Sequence, residues 1–170
     1  TSRELSLPHD GVVSHVEFHP PGARIVTSTE EGAVQVWDAS SGRPLHSFTV
    51  AAVLRLASFT PDGTRVAVAV TDHAHEIRDI WIYDAKTGER TRFTSEPADE
   101  NWLIWSADGT RVVLNSFGAD RLELFEAPAR SIDPHTTLLK DPVAKWPVSW
   151  SRDGRFVLFV TNSPATSNDI

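Results

Sequence analysis

The chain has 170 residues, a formal net charge of −7 and no cysteine. Its length fits one domain, and its negative charge sets it against phosphate backbones and anionic membrane surfaces, so neither nucleic acid nor direct membrane contact is expected. Without cysteine there is no disulfide, thiolate metal site or Cys nucleophile, and no apolar run approaches the roughly 20 residues that span a bilayer.

Taken in chain order, residues 4–7 read as a short outer strand. An alternating stretch, VVSHVEF, then runs to Phe18, and a turn ending at Gly22 leads into RIVTST. AVQVWD closes on Trp37-Asp38, and a Ser-Gly turn leads into PLHSFTV. The second unit runs FTPDGTRVAVAV from Phe59, DIWIYDAKTGER with Tyr83-Asp84, then RTRFTS. The third runs WSADGTRVVL from Trp105, RLELFEAPARS with Phe125-Glu126, then TTLLK. The fourth begins with WSRDGRFVLFV from Trp150, and residues 168–170 start a further strand. Period-2 alternation with β-branched and aromatic residues predicts strands throughout, and no window carries a capped amphipathic helix.

The turn glycines Gly22, Gly63, Gly109 and Gly154 are 41, 46 and 45 residues apart. A four-stranded unit repeating every forty-odd residues predicts an all-β fold of tandem antiparallel propeller blades. The expected blades cover residues 8–50, 51–95, 96–140 and 141–170, plus a strand at 1–7. A β-sandwich is the alternative, but sandwich strands do not usually repeat three landmarks in register. A chain that starts at Thr1 and contains no Met reads as a segment of a longer polypeptide. The expected arrangement is therefore an open arc of about four blades from a larger ring. A closed four-bladed ring, completed by residues 4–7, is the other possibility.

The first unit, HDGVVSHVEFHPPGARIVTSTEEGAVQVWDASSGRPL, resembles a WD repeat. The resemblance implies a network tying the blade together, with His9, Thr27 and Trp37 in the family's His, Ser/Thr and Trp positions. Glu31 stands where the family has Asp. The later units resemble the TolB-type propeller repeat, and residues 81–170 are similar to propellers fused behind bacterial serine/threonine kinase domains. They are less closely similar to the propellers of prolyl-oligopeptidase-type peptidases. The chain itself has no kinase motif and no GxSxG elbow.

The segment TDHAHEIRD, with Asp72, His73, His75, Glu76 and Asp79, has imidazoles and carboxylates together, but its spacing matches no zinc motif, and a solvated hairpin is expected. Phe18, Phe59, Trp105 and Trp150 occupy equivalent places and are expected in the core, as are Trp37 and Trp81. Trp102 and Trp146 lie beside loops at the start of innermost strands, where an aromatic residue can anchor a partner. Acidic Glu96, Asp99, Glu100 and Asp141 lie in the same loops and suit either solubility or a basic peptide. Together these residues point to a non-catalytic binding and scaffold module with a protein or peptide partner and no metal or cofactor. Its preferred setting is a kinase-linked sensor of a larger bacterial protein. A peptidase substrate gate and a TolB-like envelope scaffold are the alternatives, and self-association through uncovered blade faces is expected. The compartment is left open.

Overall fold

The computed structural model describes residues 4–19, 22–50, 54–72, 77–95, 97–118, 121–132, 135–140, 142–163 and 167–169. The first sheet holds β1 (Val13–Phe18), β2 (Arg24–Thr29), β3 (Ala33–Asp38) and β4 (Pro44–Thr49), paired in that order. The second holds β5 (Leu54–Phe59), β6 (Arg65–Asp72), β7 (Ile77–Asp84) and β8 (Arg90–Arg92). The third holds β9 (Leu103–Trp105), β10 (Arg111–Gly118), β11 (Arg121–Pro128) and β12 (Thr136–Lys140). The fourth holds β13 (Lys145–Trp150), β14 (Val157–Ser163) and β15 (Ser167–Asp169). Every pairing is antiparallel, and there is no helix among the described residues.

The same turn joins the first two strands of each blade. The amide of Gly22, Gly63, Gly109 or Gly154 donates to the carbonyl three residues earlier, at 2.5, 2.7, 2.9 and 2.9 Å, and each glycine has positive φ. In the last three blades a Ser or Thr hydroxyl donates to the Asp before the glycine: Thr60 to Asp62, Ser106 to Asp108, Ser151 to Asp153. These bonds span only a few residues, so the turn is encoded locally. They also draw down the acids: the Ser106 hydroxyl, with Thr110, holds Asp108 at about 2.

Alternation then builds the seams between blades. On β6, Val66 and Val68 face one way and join Val26, Val34, Val36, Leu54 and Phe59 in a buried core between the first two blades. Ala67 and Ala69 face the other way and join Leu103, Trp105, Val112, Leu114 and Phe125 in a second core between blades two and three. A strand read as a continuous apolar run thus serves two interfaces at once. The third seam has a polar component: the Arg111 guanidinium lies 5.0 Å from the Trp150 ring centre and ion-pairs with Glu126 at 2.8 Å.

Two expectations are corrected at the ends. Residues 4–7 form no strand, and the fourth sheet is β13-β14-β15 with no N-terminal segment added. Instead Leu5, Leu7 and His9 are half-buried while residues 4, 6, 8 and 10 are exposed, and Leu5 and Leu7 lie beside Gly42. At the end of this segment the His9 ring packs against Trp37, with ring centres 5.2 Å apart. Phe18 is the second correction: it is 62% exposed, whereas its equivalent Phe59 is 1% exposed. Phe59 has Arg24 and His19 of the preceding blade against it, and no blade covers Phe18 among the described residues. At the far end Val148, Phe156 and Leu158 are likewise exposed. The chain is an open arc.

Candidate functional site

The blade-one network forms around Thr27 on β2. The Trp37 indole N–H donates to Thr27 Oγ1 at 2.8 Å, and Thr27 Oγ1 lies 2.7 Å from His9 Nε2. His9 Nδ1 lies 2.7 Å from the Leu7 carbonyl, which must accept, so Nδ1 carries the proton and Nε2 accepts from the threonine. The chain of bonds is directional, from Trp37 through Thr27 and His9 to Leu7. Glu31 does not reach His9. Its two carboxylate oxygens accept the Val12 amide at 3.3 and 3.2 Å, and its own backbone amide and that of Val12 hold its pKa below the usual carboxylate range. The longer side chain thus caps the entry to β1, next to the histidine network.

A second assembly sits where the loops before β9 and β13 meet the β6–β7 and β10–β11 hairpins. Arg78, Asn101, Trp102, Phe117 and Trp146 line an open cleft of about 380 Å³. Trp102 and Trp146 are both half-buried, and Trp146 meets Phe117 edge-on with ring centres 5.7 Å apart. The His15 ring of blade one meets Trp102 edge-on at 6.2 Å. Asn115, fully buried on β10, holds the floor. Its Oδ1 accepts the amides of Asn101 and Trp102 at 3.3 and 2.9 Å. Its Nδ2 donates to Asn101 Oδ1 at 3.0 Å and to the Lys145 carbonyl at 3.3 Å. One side chain therefore fixes both loops that carry the tryptophans.

Of the four acids expected in these loops, Asp99 and Glu100 are described, and their environments differ. Asp99 takes the Arg78 amide and Nε on Oδ1 at 3.0 and 2.7 Å, and Arg78 Nη2 and Asn101 Nδ2 on Oδ2. Burial pushes its carboxyl up, but the Arg78 and Asn101 hydrogen bonds and the Arg78 charge outweigh this and leave it below the usual range. Glu100 is 1% exposed and is not offered to solvent. Its amide donates to the Arg78 carbonyl at 2.9 Å, and Ser116 donates to Oε1 at 2.9 Å. Burial, with Asp79 and Asp99 nearby, pushes it up to about 8 against the Ser116 bond. An acid in a loop reads as exposed from sequence, but strand pairing of its neighbours with β7 and β10 turned this one inward.

Arg78, Asn101, Phe117 and Asn115 were not singled out from the sequence. Phe117 carried a usable signal, because an aromatic residue at a hairpin mouth has no core to enter. His73, His75, Glu76, Glu96 and Asp141 lie outside the described residues, as does the Asp72 side chain. Asp79 is buried and bonded to Arg92 at 2.6 Å. Among the described residues no group of three or more His, Asp or Glu is placed to hold a metal. A larger cleft of about 480 Å³, walled by Phe59, Trp105 and Trp150 among others, lies along the concave inner strands.

Comparison with known proteins agrees with this architecture. The family described as WD domain, G-beta repeat, matches residues 2–38. The chain is 26% identical over 78 residues to eukaryotic translation initiation factor 3 subunit I of Pyricularia oryzae, covering 46% of this chain and 23% of that protein. It is 28% identical over 125 residues to small ribosomal subunit protein RACK1z of Arabidopsis thaliana, covering 64% and 37%. The chain thus spans well under half the length of these curated relatives. Among solved structures, a putative TolB from Agrobacterium tumefaciens superposes with a TM-score of 0.74 at 20% identity, over 86% of this chain and 53% of that one. The first blade carries a WD repeat of the G-beta type, and the chain as a whole is a run of β-propeller blades.

Proposed function

We propose that this chain is a non-catalytic binding and scaffold module, and that the cleft between Trp102 and Trp146 is its partner surface. The observation that carries the reading is the presentation of three aromatic rings, Trp102, Phe117 and Trp146, around one open cleft with a fixed floor. Large amphipathic rings on a rigid support are the residues that anchor protein partners. Asp99 contributes by holding Arg78 in the wall, and Glu100 supports the loop from behind. A role in protein assembly also agrees with relatives named as an initiation-factor subunit and a small ribosomal subunit protein. Peptides selected from a random library on the whole chain test it. At least some should lose tenfold or more in affinity with Trp102→Ala or Trp146→Ala and none with Ser40→Ala. Selected peptides indifferent to both tryptophans would place the partner surface elsewhere.

The preferred setting is a larger bacterial polypeptide with a serine/threonine kinase domain, supported by the resemblance of residues 81–170 to kinase-linked propellers. A peptidase gate or a TolB-like envelope scaffold is distinguished by the neighbouring domain: a kinase, a GxSxG hydrolase, or an export signal. The end faces support a second kind of contact. Val16 and Phe18 at one end, and Phe156 and Leu158 at the other, are exposed at positions whose counterparts line the seams. At roughly 25 cal/mol per Å², covering them by another blade or another copy is a substantial drive to associate.

A further inference from the structure

We propose that the cleft at the far ends of the inner strands is a second binding site, for a short peptide with free termini and an apolar side chain. It lies at the opposite ends of β9 and β13 from Trp102 and Trp146 and does not depend on the reading of that cleft. The argument starts from one place in the repeat. Glu17, Ser58, Ile104 and Ser149 each stand just before the aromatic residue that ends an innermost strand, and all four line this cleft of about 480 Å³. Alternation turns the same position to the concave side in every blade. Round the arc it is an acid, a hydroxyl, an aliphatic side chain and a second hydroxyl, and Arg152 lines the cleft after the last.

These polar groups are open to a ligand. Ser58 is 7% exposed, and its hydroxyl makes no hydrogen bond among the described residues yet is not sealed, so it opens into the cleft. The Ser149 hydroxyl and the Arg152 guanidinium likewise have no partner among the described residues, and Glu17 has only His15 at 3.8 Å. The acids of the surrounding turns are already engaged. Asp62, Asp108 and Asp153 each accept from a Ser or Thr hydroxyl and from an amide of their own turn. Those turns, residues 60–64, 106–110 and 151–155, are described throughout. Pro20 and Pro21, the undescribed residues of the equivalent turn, bring no charge and no side-chain hydrogen-bonding group.

An occupant must therefore answer a carboxylate from one end of the arc and a guanidinium from the other, with aliphatic surface between. A peptide with free termini does so. Its ammonium donates to Glu17 and Ser58, its carboxylate accepts from Arg152 and Ser149, and its side chain lies on Ile104 and Val148. A single amino acid is too short, because its two charges share one Cα while Glu17 and Arg152 belong to blades one and four. Two or three residues span at most about 7–11 Å, and the cleft falls in the range of roughly 300–1,000 Å³ that holds small ligands. Such a peptide is neutral overall, so a chain of net charge −7 does not repel it as it would an acidic one.

The test is titration of the whole chain with the tripeptide Ala-Leu-Ala, followed by the backbone amide resonances of Ser58 and Ser149 and the indole resonances of Trp102 and Trp146. The two serine signals should shift saturably and the two indoles should stay. The N-acetylated and the C-amidated tripeptides should each bind at least tenfold more weakly. Arg152→Ala should abolish the discrimination against the amide and keep that against the acetylated form; Glu17→Gln should do the reverse. Ser58→Ala should weaken the free tripeptide several-fold. No saturable shift at the serines, equal binding of the blocked forms, or a preference for the free carboxylate that survives Arg152→Ala overturns the proposal. If the tripeptide shifts the indoles and leaves the serines unmoved, it occupies the other cleft: this proposal falls and the reading of that cleft stands.

Discussion

Asn115 accepts the Trp102 amide at 2.9 Å and, from the same side chain, donates to the carbonyl beside Trp146 at 3.3 Å. Blade three and blade four are tied together at the point where their tryptophans emerge. Asn115→Ala removes both ties and leaves buried backbone groups unpaired, at about 1–3 kcal/mol for each group left without a partner. Urea unfolding should show a loss of that order. Peptides that depend on Trp102 should also weaken under native conditions, because the aromatic pair loses its fixed spacing.

The turn glycines differ in what surrounds them. A Cβ on Gly63 would come within 2.4 Å of His19 Nε2 and 2.6 Å of an Arg24 nitrogen, whereas one on Gly22 meets nothing within 4 Å. Both have positive φ, at 65° and 76°. Gly22→Ala should cost only the backbone term, about 1 kcal/mol. Gly63→Ala should cost more, because Arg24, which donates to the Gly63 carbonyl at 2.8 Å, and His19 must both retreat. Equal melting temperatures for the two variants would show that the seam tolerates the displacement.

Thr27→Val keeps the shape of the side chain and removes the hydroxyl that links Trp37 to His9. The buried Trp37 N–H then has no acceptor, and a loss of about 1–3 kcal/mol is expected. Thr27→Ser should restore most of it. If Thr27→Val unfolds at the same urea concentration as the parent, the bonds on this face do not stabilise the blade.

Glu100 gives the fold a pH dependence of definite sign. Its folded value, about 8, lies above its ordinary 4.5, so the native state holds a proton that the unfolded chain has released. Its contribution is fully present below pH 4.5 and is lost as pH rises through about 8. Between those limits stability should fall by up to a few kcal/mol, at about 1.4 kcal/mol per pH unit where the difference is complete. Glu100→Gln should flatten this slope and be more stable than the parent at pH 8. An unchanged slope in that variant would show that Glu100 ionises freely in the folded chain.

Phe18 and Phe156 mark the two uncovered faces. Light scattering should show mass rising with protein concentration, and the doubly substituted Phe18→Ser, Phe156→Ser chain should stay smaller at every concentration. A parent that remains monomeric throughout would mean the faces are tolerated in water.

The repeat, the strands and the turns were legible in the sequence because their bonds are local. The Thr60–Asp62–Gly63 turn is closed within a few residues, and its copies at Ser106 and Ser151 use the same chemistry. Alternation along VAVAV likewise determined which side chains share a face. The sequence could not tell Phe18 from Phe59, because the two hold the same place in the repeat and differ only in whether a blade lies in front of them. Nor could it turn Glu100 inward or bring Arg78, Phe117 and Trp146 to one cleft. Burial and long-range contact depend on which blade stacks next, and residues far apart in the chain meet only once the seams have formed.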